Sequence, residues 1–184
     1  MTKLSPKPSF YPFAFLVAGT LLCSALLRAQ ATAPKTTAFA PLDYFNNKCA
    51  RCHGNYGSFY GKDFGKGKTD AQLAQVVQEM CDGPAQAHLE TRDLEVLVAW
   101  HKSLRDSKPF VASVNFGNSV LSGEASPGSS VTLEITTGER AAAPLNGHKW
   151  SVGLPEGVQL SRVHVERDGQ VTELDPRTAS YAPR

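Results

Sequence analysis

The sequence predicts a multidomain chain: an exported N-terminal segment, then an all-α part, then an all-β part. Three observations carry this. An apolar run from Phe10 to Leu27 follows Lys3 and Lys7. Apolar residues recur at helical spacing between about residues 42 and 107. Short alternating segments punctuated by Gly, Pro and Ser fill residues 108–184.

In the first element, the run FYPFAFLVAGTLLCSALL is followed by Ala29-Gln30-Ala31, a small-x-small pattern suited to signal peptidase. Residues 1–31 are therefore expected to be a signal peptide, with the protein periplasmic or otherwise exported. A retained membrane anchor is the alternative; Pro12 and Gly19 interrupt the run and argue against it. Cys23 lacks the preceding small residue of a lipoprotein site and falls in the discarded segment. Lys3, Lys7 and Arg28 are three of the 19 basic side chains, so the remainder carries 16 against 17 acidic. A near-neutral chain offers no basic field for nucleic acid. Residues 32–41, ATAPKTTAFA, read as a flexible linker.

Residues 42–107 hold the pentapeptide Cys49-Ala50-Arg51-Cys52-His53. Cys-x-x-Cys-His is the attachment pattern for c-type haem. One helical turn brings two thiols to the two vinyl groups of a porphyrin edge, and carries His53 beneath the ring as an axial ligand. A thioredoxin-like pair would want a preceding strand, and a zinc site a second ligand pair; the sequence offers neither. One covalent haem c, with its iron, is the expected cofactor.

These residues, with Phe45 four positions before Cys49, Gly54, Gly57 and Gly61 after His53, and two later amphipathic segments, resemble the small monohaem class I cytochromes c over residues 38–106. The resemblance implies an all-α haem domain, electron transfer and no enzymatic activity of its own. The segment TDAQLAQVVQEM places Leu73, Val76, Val77 and Met80 on one helical stripe, capped by Thr69 or Asp70. In LETRDLEVLVAWHKSL, Leu94, Leu97, Val98, Trp100 and Leu104 form the apolar face, with Phe45 against Trp100 as the expected helix crossing and His101 at the surface. The aromatic loop from Ser58 to Asp70 is expected to wrap the haem, leaving Lys62, Lys66 and Lys68 in water.

The distal ligand stays open. His88 sits in a loop opened by Gly83-Pro84, where the resemblance places the ligand, and is set ahead of Met80, which continues a helical stripe. Cys81 is a third option, read chiefly as a small buried residue.

Residues 108–184 contain FVASVNF, SVLSGEA, SSVTLEI, KWSVGL, LSRVHVER and QVTEL, read as strands, with turns at Asn146-Gly147 and Asp168-Gly169. Trp150 is a candidate core residue; His148 and His164 read as lone exposed histidines. The run LSGEASPGSSVTLEI, with NGHKWSVGLP and a strand pair around a DG turn, resembles bacterial Ig-like domains and implies an all-β sandwich serving as a docking module. The expected partners are redox proteins, and a partner is a possible route to membrane or envelope association. An electron-transfer subunit of a periplasmic oxidoreductase complex and a haem-based small-molecule sensor are the alternatives.

Overall fold

The computed structural model describes residues 33–184. The expected signal peptide of residues 1–31 lies outside the described residues. Among those described, four helices precede nine strands: α1 (Pro41–Lys48), α2 (Ala50–His53), α3 (Asp70–Asp82), α4 (Thr91–Arg105), then β1 (Val111–Gly117), β2 (Val120–Ala125), β3 (Ser130–Ile135), β4 (Arg140–Ala143), β5 (Leu145–Asn146), β6 (Lys149–Gly153), β7 (Leu160–Arg167), β8 (Gln170–Leu174) and β9 (Tyr181–Ala182).

α3 starts with a complete capping box. The Thr69 hydroxyl accepts from the Gln72 N–H, and the Gln72 side chain accepts from the Thr69 N–H. Its stripe buries Leu73 and Val77 but leaves Val76 and Met80 each 37% exposed. α4 buries Val96, Leu97, Trp100 and His101. Asp70 ties the two helices together through Lys102 and Arg105.

The strands form two antiparallel sheets, in the orders β5-β6-β2-β1-β9 and β4-β3-β7-β8. Period-2 alternation sends Val111, Leu121 and Trp150 of the first sheet and Val131, Leu133, Val163, Val165 and Leu174 of the second into one core. Gly123 of β2 is required there: a Cβ would lie 1.9 Å from the Ala112 carbonyl oxygen and 2.6 Å from the Trp150 ring.

The expected fold, an all-α haem domain beside a separate all-β Ig-like sandwich, is corrected. Among the described residues helix accounts for 28% and strand for 30%, with no large all-α domain. The described residues make one compact unit. The physical reason lies in β1. Its alternation turns Val111 toward the second sheet and Ala112 the other way, and neither has any exposed surface. Ala112 and Phe110 belong to the same buried cluster as Leu42, Phe45, Val77, Leu97 and Trp100, and Tyr181 of β9 packs against it. Helices of 4 to 15 residues bury too little among themselves, and they complete their core on the outer face of the first sheet.

Trp100 accordingly packs edge-on against Phe110, at 5.8 Å between ring centroids. Phe45 meets His101 instead, at 5.6 Å, so the expected Phe45–Trp100 crossing is displaced by one residue of α4. The segment read as a flexible linker is hydrogen-bonded to the sheet: Thr37 N–H donates to Ser113 O (2.9 Å) and Ala38 N–H to Val114 O (3.1 Å), with Thr37 buried.

Candidate functional site

α1 ends at Cys49, and α2 is a single turn in which the His53 N–H donates to Cys49 O at 3.0 Å. That turn sets Cys49, Cys52 and His53 on the wall of one cavity of about 250 Å³. Phe45, Tyr60, Phe64, Leu73, Val76, Val77, Met80, Cys81, Leu97 and His101 line the rest. All three thiols of the described residues are free, with Cys52 exposed and Cys81 buried.

The chain leaves His53 through Gly54, at φ 72° and ψ 161°. A side chain there would overlap Ser58 and Phe59, so the turn needs glycine. The Phe59 N–H then donates back to His53 O at 2.9 Å, closing the loop over the imidazole. Tyr60 stacks on Phe64 with centroids 4.0 Å apart and comes within 4.9 Å of the His53 ring.

The cavity disfavours charge. Burial raises the Cys49 thiol, helped by neighbouring Cys52. Burial pushes Cys81 up to about 11, and Cys49 adds to the effect. Burial likewise raises Tyr60. His101, expected at the surface, is only 5% exposed. Its Nδ1–H donates to Leu97 O (2.8 Å), which leaves Nε2 to accept from the Tyr60 hydroxyl (3.1 Å). Burial pulls its pKa down to about 4, so it stands neutral in the cavity wall. The i, i+4 relation to Leu97 was visible in the sequence, but its proximity to Tyr60 was not.

Of the three residues weighed as distal ligand, Met80 and Cys81 reach the cavity. His88 does not line it. Its side chain is 84% exposed, 3.9 Å from the Asp82 carboxylate.

Comparison with protein-family models, characterised proteins and solved structures finds no match. The resemblance to class I cytochromes c and to Ig-like domains is therefore corrected: no family model or relative supports a cytochrome c domain, and the helices are few and short. What stands is the residue pattern itself and the cavity it lines.

A second cluster sits where α1 meets the sheet. The Glu124 carboxylate of β2, 2% exposed, accepts from the N–H groups of Leu42 (2.7 Å) and Asp43 (3.0 Å), the otherwise unpaired first donors of α1. His148, in the two-residue loop between β5 and β6, donates from Nε2–H to Asp43 Oδ1 (2.8 Å) and lies 3.4 Å from Glu124 Oε1. Its Nδ1 faces the Tyr56 hydroxyl at 2.9 Å. Burial raises Glu124, against the pull of the Leu42 and Asp43 N–H groups. Burial also opposes ionisation of Asp43, but bonds from Lys149 and His148 outweigh it and hold that carboxyl below its usual range. Asp43, Glu124 and His148 bring ligand atoms within 4.8 Å of one another, yet Lys149 and two backbone donors already compensate the carboxylates. The arrangement reads as a self-neutralised joint. His164, also expected to be exposed, is instead half-enclosed between Glu134 and Glu173, each 3.2 Å away.

Proposed function

We propose that this protein is an exported single-electron carrier. Cys49 and Cys52 would hold one haem c through thioethers, and His53 and Met80 would bind its iron. The observation that carries the reading is the convergence of Cys49, Cys52, His53 and Met80 on one apolar cavity. The donor set fits the group: two thiols and an imidazole on one turn, a thioether on the cavity wall, and aromatic and aliphatic side chains between them. Val76 and Met80, left 37% exposed, are the apolar surface that such a group would cover.

Bound haem iron supplies a one-electron Fe(III)/Fe(II) couple. The chain's own residues do the rest. Gly54 and the Phe59–His53 bond orient the imidazole, while Phe45, Tyr60 and Leu97 keep water from the cavity. His101 stays neutral beside it, adding no charge to oppose that of the iron. With Cys49, Cys52 and His53 engaged by the group, the reading is a carrier and not an enzyme. Redox proteins are the partners it implies, and residues 1–31 support the exported location.

A pyridine haemochrome spectrum and intact mass of the purified protein test this. One covalent haem is expected, lost in Cys49→Ser together with Cys52→Ser. Unmodified mass in an expression host competent for c-type maturation would refute it. Near-infrared magnetic circular dichroism of the oxidised protein is expected to show a thioether-to-iron band that Met80→Leu abolishes and His88→Ala leaves intact. A bis-imidazole signature would replace Met80 by a histidine, and His88→Ala against His101→Gln would decide which. The exposure of Met80 favours a second reading, a haem-based small-molecule sensor; stoichiometric carbon monoxide binding by the reduced protein would select it.

A further inference from the structure

Tyr56 stands three residues after His53 and is not glycine, yet it holds φ 55° and ψ 29°. A bulky residue in the left-handed region persists only where its surroundings over-determine it. Two contacts do so. Its N–H donates to the Asn46 side-chain oxygen (2.9 Å) from α1. Its hydroxyl meets His148 Nδ1 (2.9 Å), 92 residues away. The other ring nitrogen, Nε2, bonds Asp43, in the first turn of α1, the helix capped by Cys49. One side chain of the β5–β6 loop therefore grips the chain on both sides of the Cys49–His53 turn. The His148 carbonyl also accepts from Ala125 N–H at 2.8 Å, which anchors the loop beside Glu124.

We propose that His148 is a positioning residue for the Cys49–His53 turn: by bridging Tyr56 and Asp43, it fixes the angle at which α1 and the loop after His53 present the two thiols and the imidazole to the cavity. This rests on the haem reading above for its consequence at the metal, and on the geometry alone for the coupling. The titratable and charged groups around the imidazole are Asp43 and Lys149, Glu124 of β2, and Tyr56 of the loop. No contact with Cys49, Cys52, His53 or Met80 is needed.

The test is amide hydrogen exchange by NMR on the full chain in its reduced form, read at Tyr56 and Phe59, with Val163 and Val165 in the sheet core as the reference for global stability. His148→Phe keeps a ring but removes both bonds. It is expected to speed exchange at Tyr56 and Phe59 about tenfold relative to the reference, the factor that one hydrogen bond's net contribution implies. Tyr56→Phe, which deletes only the hydroxyl, should do the same and covers the case in which His148→Phe fails to fold. His164→Phe, the equivalent change at the other half-enclosed histidine of the sheet, should leave the ratio unchanged. Imidazole binding to the oxidised protein should accelerate in parallel in His148→Phe, and His148→Gln, which keeps a donor and an acceptor, should recover part of the wild-type rate. Equal effects of His148→Phe and His164→Phe on the ratio, or no effect of His148→Phe and Tyr56→Phe, would overturn the proposal. The haemochrome spectrum of the wild type separates the two claims: without covalent haem the carrier reading falls, while the exchange ratio still decides the coupling.

Discussion

The neutral histidine in the cavity wall makes stability depend on pH in a direction that can be worked out. His101 titrates near 6.5 in an open chain and at about 4 in the fold, because burial disfavours its charged form. Between those values the unfolded chain takes up a proton that the folded chain refuses. The stabilisation is therefore complete above pH 6.5, shrinks as pH falls, and is gone near pH 4. At about 1.4 kcal/mol per pH unit, the interval corresponds to about 3 kcal/mol. The side chain is 5% exposed, so solvent screening removes little of it. The perturbation is His101→Gln, which keeps an acceptor for the Tyr60 hydroxyl but cannot titrate. Urea unfolding followed by far-ultraviolet circular dichroism, at pH 7.5 and at pH 4, gives the stability of each protein. The wild type should lose about 3 kcal/mol more than the variant between the two conditions. Equal losses, within about 0.5 kcal/mol by the same extrapolation, would refute the assignment of a neutral buried imidazole.

Three further outcomes follow from other contacts. Glu124→Ala strips two buried N–H groups of α1 of their acceptor and should cost about 2–4 kcal/mol by urea unfolding, with Glu124→Gln costing less because one acceptor oxygen survives. Thr69→Ala removes the capping box of α3 and should cost about 1 kcal/mol by the same measure. Gly123→Ala forces a methyl against the Ala112 carbonyl and the Trp150 ring, and should destabilise by about 3 kcal/mol or more, visible as a loss of near-ultraviolet tryptophan ellipticity on mild heating.

What could be read from the sequence is what short-range pattern encodes. β7 and β8 run over the residues that alternation marks, and α3 begins at the Thr69 cap. The single turn that carries Cys49, Cys52 and His53 was legible because five consecutive residues form it. The errors share a cause in sequence separation. A change of period near Pro109 looks like a boundary between separate cores, but Phe110 and Ala112 lie on the helical side of it in space. β9 has two residues and no pattern of its own, and finds its place only against Val111 and Ala112. The placement of Met80 within the cavity and His88 outside it depends on how α3 ends, which no stripe specifies. His148 is unremarkable in sequence because its partners Asp43 and Tyr56 are 105 and 92 residues distant.

The acceptor for the first turn of α1 is Glu124, 82 residues further along the chain. A ribosome adding roughly 5–20 residues per second needs about 4–16 s to cover that distance. Throughout that interval the helix capped by Cys49 has a ragged start, and for most of it β1, whose outer face roofs its core, has not been made. On the growing chain Cys49 and Cys52 are thus both accessible, before burial makes Cys49 reluctant to ionise. The distant carboxylate works as a clock: the start of α1 is fixed only once β2 has been made.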